Sequence, residues 1–476
     1  MMNSDFELRS GMHIHIVGIG GSGMSAIARV LLGRGYVVSG SDMHSNAFTA
    51  ALAADGATIF AGHKTENITG ADAVVMSSAI PLENPEIAAA RPMSLPVLKR
   101  ADILGQLMVG TIGIAVAGSH GKTTTTGMIA QILIHADYDP TVIVGGTLPS
   151  MESNGRYGQG DYFIIEADEY DYMFLGLRPE VAVITSIEHD HPDLFHTAAD
   201  YVGAFREFVS LLPDGGRLIL CAQDEGVQNL LTDLSLTDVE ITTYAVVGEE
   251  GSRVNANFIA SNCRPNPMGG MDFIVEEDGE LVGLARLRVP GEHNVSNALA
   301  AIIIALDLGI DFPEIRQGLA EFGGMGRRFQ VLGEVGDVTI IDDYAHHPTE
   351  IKATLGAARQ QFPGRRIWAV WQPHTYSRTK LLMDEFTQSF DDADRLIALD
   401  IFRSREKDTL GIDTAVVLAA MDHADAIHIA DKREAADYLL DRVRPSDVVL
   451  TLGAGDGDQV GKWVLAGLEK RVNGEQ

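Results

Sequence analysis

Short apolar runs alternate with helical periodicity along almost the whole chain. From residue 11 to about 110 the segments HIHIVGI, YVVSGS, ATIFAG and AVVMSSA read as strands, and the stretches between them repeat apolar positions every three or four residues. This alternation predicts a parallel α/β sheet. The pattern restarts at TIGIAVAGS and continues through YFIIEAD, VAVITSI and RLILCA. A more irregular Gly- and Asn-rich segment follows from about residue 248 to 290, with the hairpin-like DFIVEEDGELVGLARL, and the unit closes on the helical HNVSNALAAIIIALDLG. A third series begins near GMGRRFQ and runs through VTIIDDY, RIWAVWQ, RLIALDI, AIHIA and DVVLTLGAGD. The expected organisation is three α/β domains in series, with boundaries at 1–112, 113–326 and 327–476.

Composition narrows the class. A chain of 476 residues is large enough for two or three domains, each with its own core. Its 46% hydrophobic content includes no uncharged apolar run of membrane-spanning length. The start MMNSDFELRS has neither a basic nor an apolar targeting region, so a cytoplasmic protein is expected. The formal net charge of −30 argues against partners that need a positive surface, nucleic acid and anionic lipid among them. Any anionic ligand must therefore be held by local devices. The two cysteines, Cys221 and Cys263, are far apart and outside any metal-binding spacing.

Candidate chemistry starts with two glycine loops, each between a strand and a helix. The first, GIGGSGMS, carries Gly18, Gly20 and Gly23 in G-x-G-x-x-G spacing, and Asp42 closes the next strand. Such a loop offers the free N–H groups of a helix N-terminus to a diphosphate, of NAD(P) or of another nucleotide. The second, AVAGSHGKTTTT, brings Gly118, Gly121, Lys122, Thr123 and Thr124 into the arrangement of a nucleoside triphosphate cradle, with Val116 where the longer motif has its first glycine. Downstream, YFIIEADEYD ends a strand with Glu166, Asp168, Glu169 and Asp171, oxygen ligands suited to Mg²⁺. VAVITSIEHDHPD delivers His189, Asp190 and His191 in the same way. His293 and Asn297 fall on one helical face, and Arg327 and Arg328 offer planar guanidinium groups to phosphate oxygens.

These motifs, in order, together with DDYAHHPTE, QPHTYSRT and TLGAGD, resemble those of the Mur ligase family, the ATP-dependent amino-acid-adding enzymes of peptidoglycan synthesis. The resemblance covers nearly the whole chain. It implies a Rossmann-like N-terminal domain for UDP-N-acetylmuramate, a central P-loop ATPase domain for MgATP, with two Mg²⁺ sites expected, and a Rossmann-like C-terminal domain for the amino acid. Residue by residue, it implies that Gly20, Gly21, Ser22, Gly23, Met24, Ser25, Asp42 and Ser78 meet the UDP-sugar. Gly118, Ser119, His120, Gly121, Lys122, Thr123, Thr124, His293, Asn297 and Arg328 would meet ATP. Thr123, Glu166 and His191 would hold metal, and Arg327 or Arg328 would reach the phosphates across a domain boundary. Tyr344, His346, His374 and Arg378 would face the amino acid, with His347 or Asp343 as the base for its amine.

Within the family, GIGGSGMS and GRRFQ point to L-alanine as the acceptor. Tyr170, where many relatives have serine, is shared with a recycling relative that joins L-alanyl-γ-D-glutamyl-meso-diaminopimelate to the same nucleotide; that is the alternative. Thr375 replaces a second arginine of many relatives, and HTAADYVGAFREF has no lysine to match the carbamylated one of some sister ligases. A monomer or weak homodimer is expected. An NAD-dependent oxidoreductase or a P-loop motor would each leave most of these motifs unused.

Overall fold

The strands assemble into three sheets. The computed structural model describes residues 6–234, 238–248 and 254–474. The first five residues and part of the segment read as irregular, 249–253, lie outside the described residues.

The first sheet is parallel, in the order Thr58–Ala61, Val37–Asp42, His13–Val17, Ala73–Met76, Val97–Lys99. Strand order reverses beside His13–Val17, which puts the first glycine loop at the switch point where open α/β sheets bind ligands. The helix Ser22–Gly33 starts directly after that loop.

The central sheet has ten strands. Its parallel middle runs Arg217–Cys221, Val181–Ile184, Ile112–Ala117, Tyr162–Glu166. Ile114, Val116, Ile164 and Val183 are fully buried, as expected for strands covered on both faces. Because these strands are parallel neighbours, the P-loop and the acidic and His-rich turns emerge at one edge. The helix Lys122–His135 packs against Glu292–Asp307, whose ALAAIIIAL run is buried all round. The hairpin read in DFIVEEDGELVGLARL forms as Met271–Glu277 antiparallel to Glu280–Arg286, and only the irregular reading before it is corrected: Phe258–Pro265 is a strand that extends the sheet in parallel. Two bulges interrupt the alternation of these strands, and the one in Phe258–Pro265 hid that strand in the sequence.

The third sheet orders Gln330–Val335, Val338–Asp343, Asp447–Leu452, Arg366–Trp371, Arg395–Ala398, Ala426–His428, with only the first strand antiparallel. The ends of Val338–Asp343 and Arg366–Trp371 flank that of Asp447–Leu452, so DDYAHHPTE and QPHTYSRT open onto one edge.

The first and central domains share a continuous apolar core that includes Ile16, Leu104, Phe163 and Phe205. The third domain has its own cores, and its contacts with the central domain are polar. No helix among the described residues is long and apolar enough to cross a membrane.

Candidate active site

The phosphate loop is shaped by its glycines. Gly118 (φ 137°) and Gly121 (φ 81°) take backbone conformations that disfavour side chains, and a Cβ on either would strike Thr185 Oγ1 or Asn297 Oδ1. Lys122 folds back over the loop. Its ammonium donates to the carbonyls of Gly118 and Ser119 and lies 2.9 Å from Glu169 Oε2. Burial opposes its charge, yet Glu169, Asp168 and Glu166 outweigh burial and raise its pKa. Thr123 Oγ1 donates to Glu166 Oε1 at 2.9 Å, and Glu166 Oε2 accepts the Gly145 N–H at 2.6 Å. Burial pushes the Glu166 carboxyl up, so a cation placed there would favour its ionised form.

A hydroxyl and a carboxylate side by side at a P-loop are a donor set that fits Mg²⁺. His191 stands apart from that pair: its Nε2 is 3.4 Å from Glu169 Oε1 and 3.8 Å from Asp190 Oδ2. The expected metal set is thus brought together as Thr123 with Glu166, while His191 joins Glu169 and Asp190.

Opposite the loop, the third domain closes a cavity of about 340 Å³ lined by Gly121, Thr123, His293 and Asn297 on one side and by Arg328, Asp343 and Glu350 on the other. Burial and the nearby Arg328 lower the His293 pKa to about 4, so its ring is neutral. Arg328 lies 3.3 Å from Glu350 Oε1 and 5.3 Å from the Tyr344 ring centre. Arg327 is a correction: it turns away into its own domain, with Nε 3.0 Å from Asp342 Oδ2 and Nη2 donating to Gly453 O at 2.9 Å. Consecutive residues in this turn project in opposite directions, so only Arg328 faces the glycine loop across the cavity.

Polar bridges join the two domains around this cavity. His120 Nε2 is 2.8 Å from Glu188 Oε2, and its Nδ1 is 3.4 Å from Glu350 Oε1. Burial opposes charge on His120, but hydrogen bonds to these two carboxylates raise its pKa to about 9. Thr349 Oγ1 donates to Glu188 Oε1 at 2.8 Å, and the buried Arg378 and Asp190 pair at 2.8 Å. His120, Glu188 and His347 are also spaced closely enough to hold a metal ion.

Tyr344, His346, His374 and Arg378 are brought together as expected. The His346 ring is 5.4 Å from Tyr344 and 5.9 Å from His374, and Arg378 Nη1 donates to His374 Nδ1 at 3.1 Å. Burial lowers the pKa of both histidines, His346 to about 3.

The two residues expected to deprotonate the amine are both engaged in hydrogen bonds within their own turn. Asp343 spends its oxygens on the N–H groups of Phe329 and Ala345, both at 2.8 Å, and on Thr354. Burial lifts its carboxyl to about 6. His347 accepts the Thr349 N–H at 3.4 Å and packs against the His120 ring, on the phosphate-loop side. Asp343 thereby ties down the turn between Phe329 and Ala345, and His347 starts the helix Pro348–Gln361.

At the first glycine loop, Gly20 donates its N–H to Asp42 Oδ2 at 2.9 Å and Asn46 Nδ2 donates to Gly20 O, so Asp42 braces the turn. Gly21 precedes the helix, and Ser22 and Ser78 are exposed beside it. Met24 and Ser25 are corrections as side-chain contacts. Met24 is core, and Ser25 Oγ donates to Ser22 O and accepts from Asn154. Only their backbone lies at the helix start.

Sequence reasoning missed Arg100. Its Nη1 is 2.6 Å from the position of a Cβ on Gly23, and its Nη2 is 3.0 Å from Asp168 Oδ2. It lies outside every motif. Glu188 and Glu350 were also unassigned, although both sit inside motifs that were read, and Glu169, read as a possible Mg²⁺ ligand, is the partner of Lys122.

Three α/β domains with a P-loop in the central one and an arginine brought to its cavity by the third define a class. The chain belongs to the Mur ligase family: the family models match residues 13–111 (Mur ligase family, catalytic domain), 116–305 (Mur ligase middle domain) and 327–455 (Mur ligase, glutamate ligase domain). Within it, the chain is 44% identical to the UDP-N-acetylmuramate–L-alanine ligase of Geotalea uraniireducens, over 96% of this chain and 98% of that protein. It is 45% identical to the enzyme of the same name from Salinibacter ruber, over 93% of this chain and 92% of that protein. Among solved structures, the UDP-N-acetylmuramate-alanine ligase of Thermotoga maritima superposes with a TM-score of 0.80 at 29% identity, covering 98% of this chain and 100% of that one. A murein peptide ligase from Psychrobacter arcticus gives 0.73 at 26%, covering 96% and 99%.

Proposed function

We propose that this protein joins L-alanine to the lactyl carboxylate of UDP-N-acetylmuramate, converting ATP to ADP and phosphate. The observation that carries the reading is one cavity in which Gly121 and Thr123 of the glycine loop face Arg328 and Glu350, with Glu166 hydrogen-bonded to Thr123, Tyr344 against Arg328 and His346 against Glu350. The full-length similarity to UDP-N-acetylmuramate–L-alanine ligases supports the choice of substrates.

A carboxylate is a poor acyl donor. Its oxygen attacks the γ-phosphorus of ATP, ADP departs, and an acyl phosphate forms. The alanine ammonium first loses a proton to solvent; the free amine then attacks the acyl carbon, the C–O bond to phosphate breaks, and the second proton of the nitrogen leaves with the phosphate as hydrogen phosphate. Two anions must meet in the first step. Lys122 exchanges its loop carbonyls for phosphate oxygens, and Arg328 neutralises charge from the opposite wall, in a site from which domain closure excludes water. Thr123 and Glu166 would hold one Mg²⁺, and His191 with Glu169 would contribute to a second. When bound, such ions would supply charge screening between the phosphates and the attacking carboxylate. Gly20 to Gly23, the start of the helix Ser22–Gly33 and Arg100 hold the uridine diphosphate.

An ADP-release assay tests the reading. ADP is expected only when UDP-N-acetylmuramate and L-alanine are both present. Faster turnover with the tripeptide L-alanyl-γ-D-glutamyl-meso-diaminopimelate would overturn the choice of acceptor, and saturable micromolar NADH binding would overturn the assignment of the first loop.

A further inference from the structure

Two lone pairs meet without a shared proton where the phosphate loop faces the third domain. His347, 1% exposed, starts the helix Pro348–Gln361, and its Nδ1 accepts the Thr349 N–H at 3.4 Å. That nitrogen carries no proton, yet it lies 3.8 Å from Oε2 of Glu188, a residue placed after the central strand Val181–Ile184. The other ring nitrogen, Nε2, is buried and makes no hydrogen bond. The same carboxylate oxygen stands 2.8 Å from His120 Nε2. One nitrogen from each imidazole and a Glu188 oxygen all fall within 4.8 Å of one another. Tetrahedral zinc, with bonds of about 2.0–2.1 Å, needs its ligand atoms about 3.3 Å apart, so separations of 2.8 and 3.8 Å bracket the requirement.

The groups behind these three residues are placed as supports for a ligand set. Thr349 Oγ1 donates to Glu188 Oε1 at 2.8 Å and leaves Oε2 turned towards both rings. His120 Nδ1 lies 3.4 Å from Glu350 Oε1, which Arg328 approaches to 3.3 Å. A carboxylate behind an imidazole fixes which nitrogen faces an ion and makes that nitrogen more basic. Without metal, a proton on His120 Nε2 serves Glu188 instead.

We propose that His120, Glu188 and His347 form a Zn²⁺ site, separate from the Thr123–Glu166 and His191–Glu169 groups, that fastens the phosphate-loop domain to the third. Two imidazoles and one carboxylate suit zinc better than Mg²⁺, which takes oxygen ligands. The ion displaces the Nε2 proton of His120 to solvent, while Nδ1–H stays directed at Glu350. Its fourth position opens into the cavity that His120 and Glu188 line. Because the ligands come from two domains, the cleft stays shut while the ion is held.

The test measures zinc uptake directly, by competition with a chromophoric chelator of micromolar affinity, in Mg²⁺ buffer without nucleotide. The wild type is expected to take up one equivalent, and His347→Gln and Glu188→Gln to bind zinc at least about tenfold more weakly. His191→Gln removes the neighbouring histidine–carboxylate group and is expected to bind zinc as the wild type does. A wild type that takes no zinc from the chelator overturns the site. Equal affinity in the wild type and His347→Gln, a loss confined to His191→Gln, or the same loss in all three variants overturns it too. Should His347→Gln fail to fold, Glu188→Gln decides, since its side chain is 42% exposed, and unchanged affinity there overturns the site. Uptake is read without turnover, so its failure leaves the ligase reading untouched.

Discussion

Arg327 and Arg328 are adjacent in sequence and point to different tasks, which makes their separate removal a sharp test. Arg328→Ala deletes the positive group facing the phosphate loop across the cavity and leaves Glu166, Asp343 and Glu350 without its counter-charge. Loss of one charge-stabilising donor in such a site costs about 100- to 1000-fold in kcat. Arg327→Ala removes the partner of Asp342, whose side chain is 3% exposed. Breaking a fully buried pair costs about 3–5 kcal/mol, but Arg327 is about one-third exposed, so screening reduces that figure. Asp342 also keeps its hydrogen bond from Thr451 at 2.7 Å. Its pKa is already raised by burial, so the orphaned group can relieve itself by taking a proton. We therefore expect about 2 kcal/mol of destabilisation, or roughly 4–8 °C in the melting temperature of a domain this size. Kinetics of ADP release and thermal melts on both variants measure the two effects. A large kcat loss in Arg327→Ala with an unchanged melt, or near-wild-type turnover in Arg328→Ala, would refute the division.

Other outcomes follow from the same geometry. Lys122→Ala is expected to lower kcat by about 1000-fold with the melt preserved, since its buried charge serves the phosphates; turnover like that of the wild type would remove it from the site. Arg100→Ala is expected to raise the KM for UDP-N-acetylmuramate at least about tenfold while sparing that for alanine, and equal effects on both would detach it from the diphosphate. His120 contributes to stability in a definite pH window. Its folded pKa of about 9 lies above the ordinary 6.5, so the stabilisation is complete below about 6.5 and disappears as pH rises through about 9. The wild-type melt should therefore fall towards that of His120→Gln between about pH 7 and 10, and a constant difference would contradict the charged His120 bridge.

Most of the site was legible because its chemistry sits on strand ends. Glycine loops, acidic turns and His-rich turns each follow an apolar run, so their placement at a sheet edge follows from the pattern itself. Asp42 and Met24 show the limit. A strand-end acid and a residue after a glycine motif look like ligand contacts until packing shows that one braces the turn and the other fills the core.

The sequence by itself determined the three α/β units, both glycine loops between strand and helix, and the family, because these depend on local periodicity and on contiguous motifs. Tertiary structure alone decided which of two neighbouring arginines faces the phosphates, which carboxylates pair with Lys122 and Arg378, and that Arg100 joins the first glycine loop. Those facts depend on distances between segments separated by tens to hundreds of residues. Strand order and domain closure set such distances, and no local pattern encodes them.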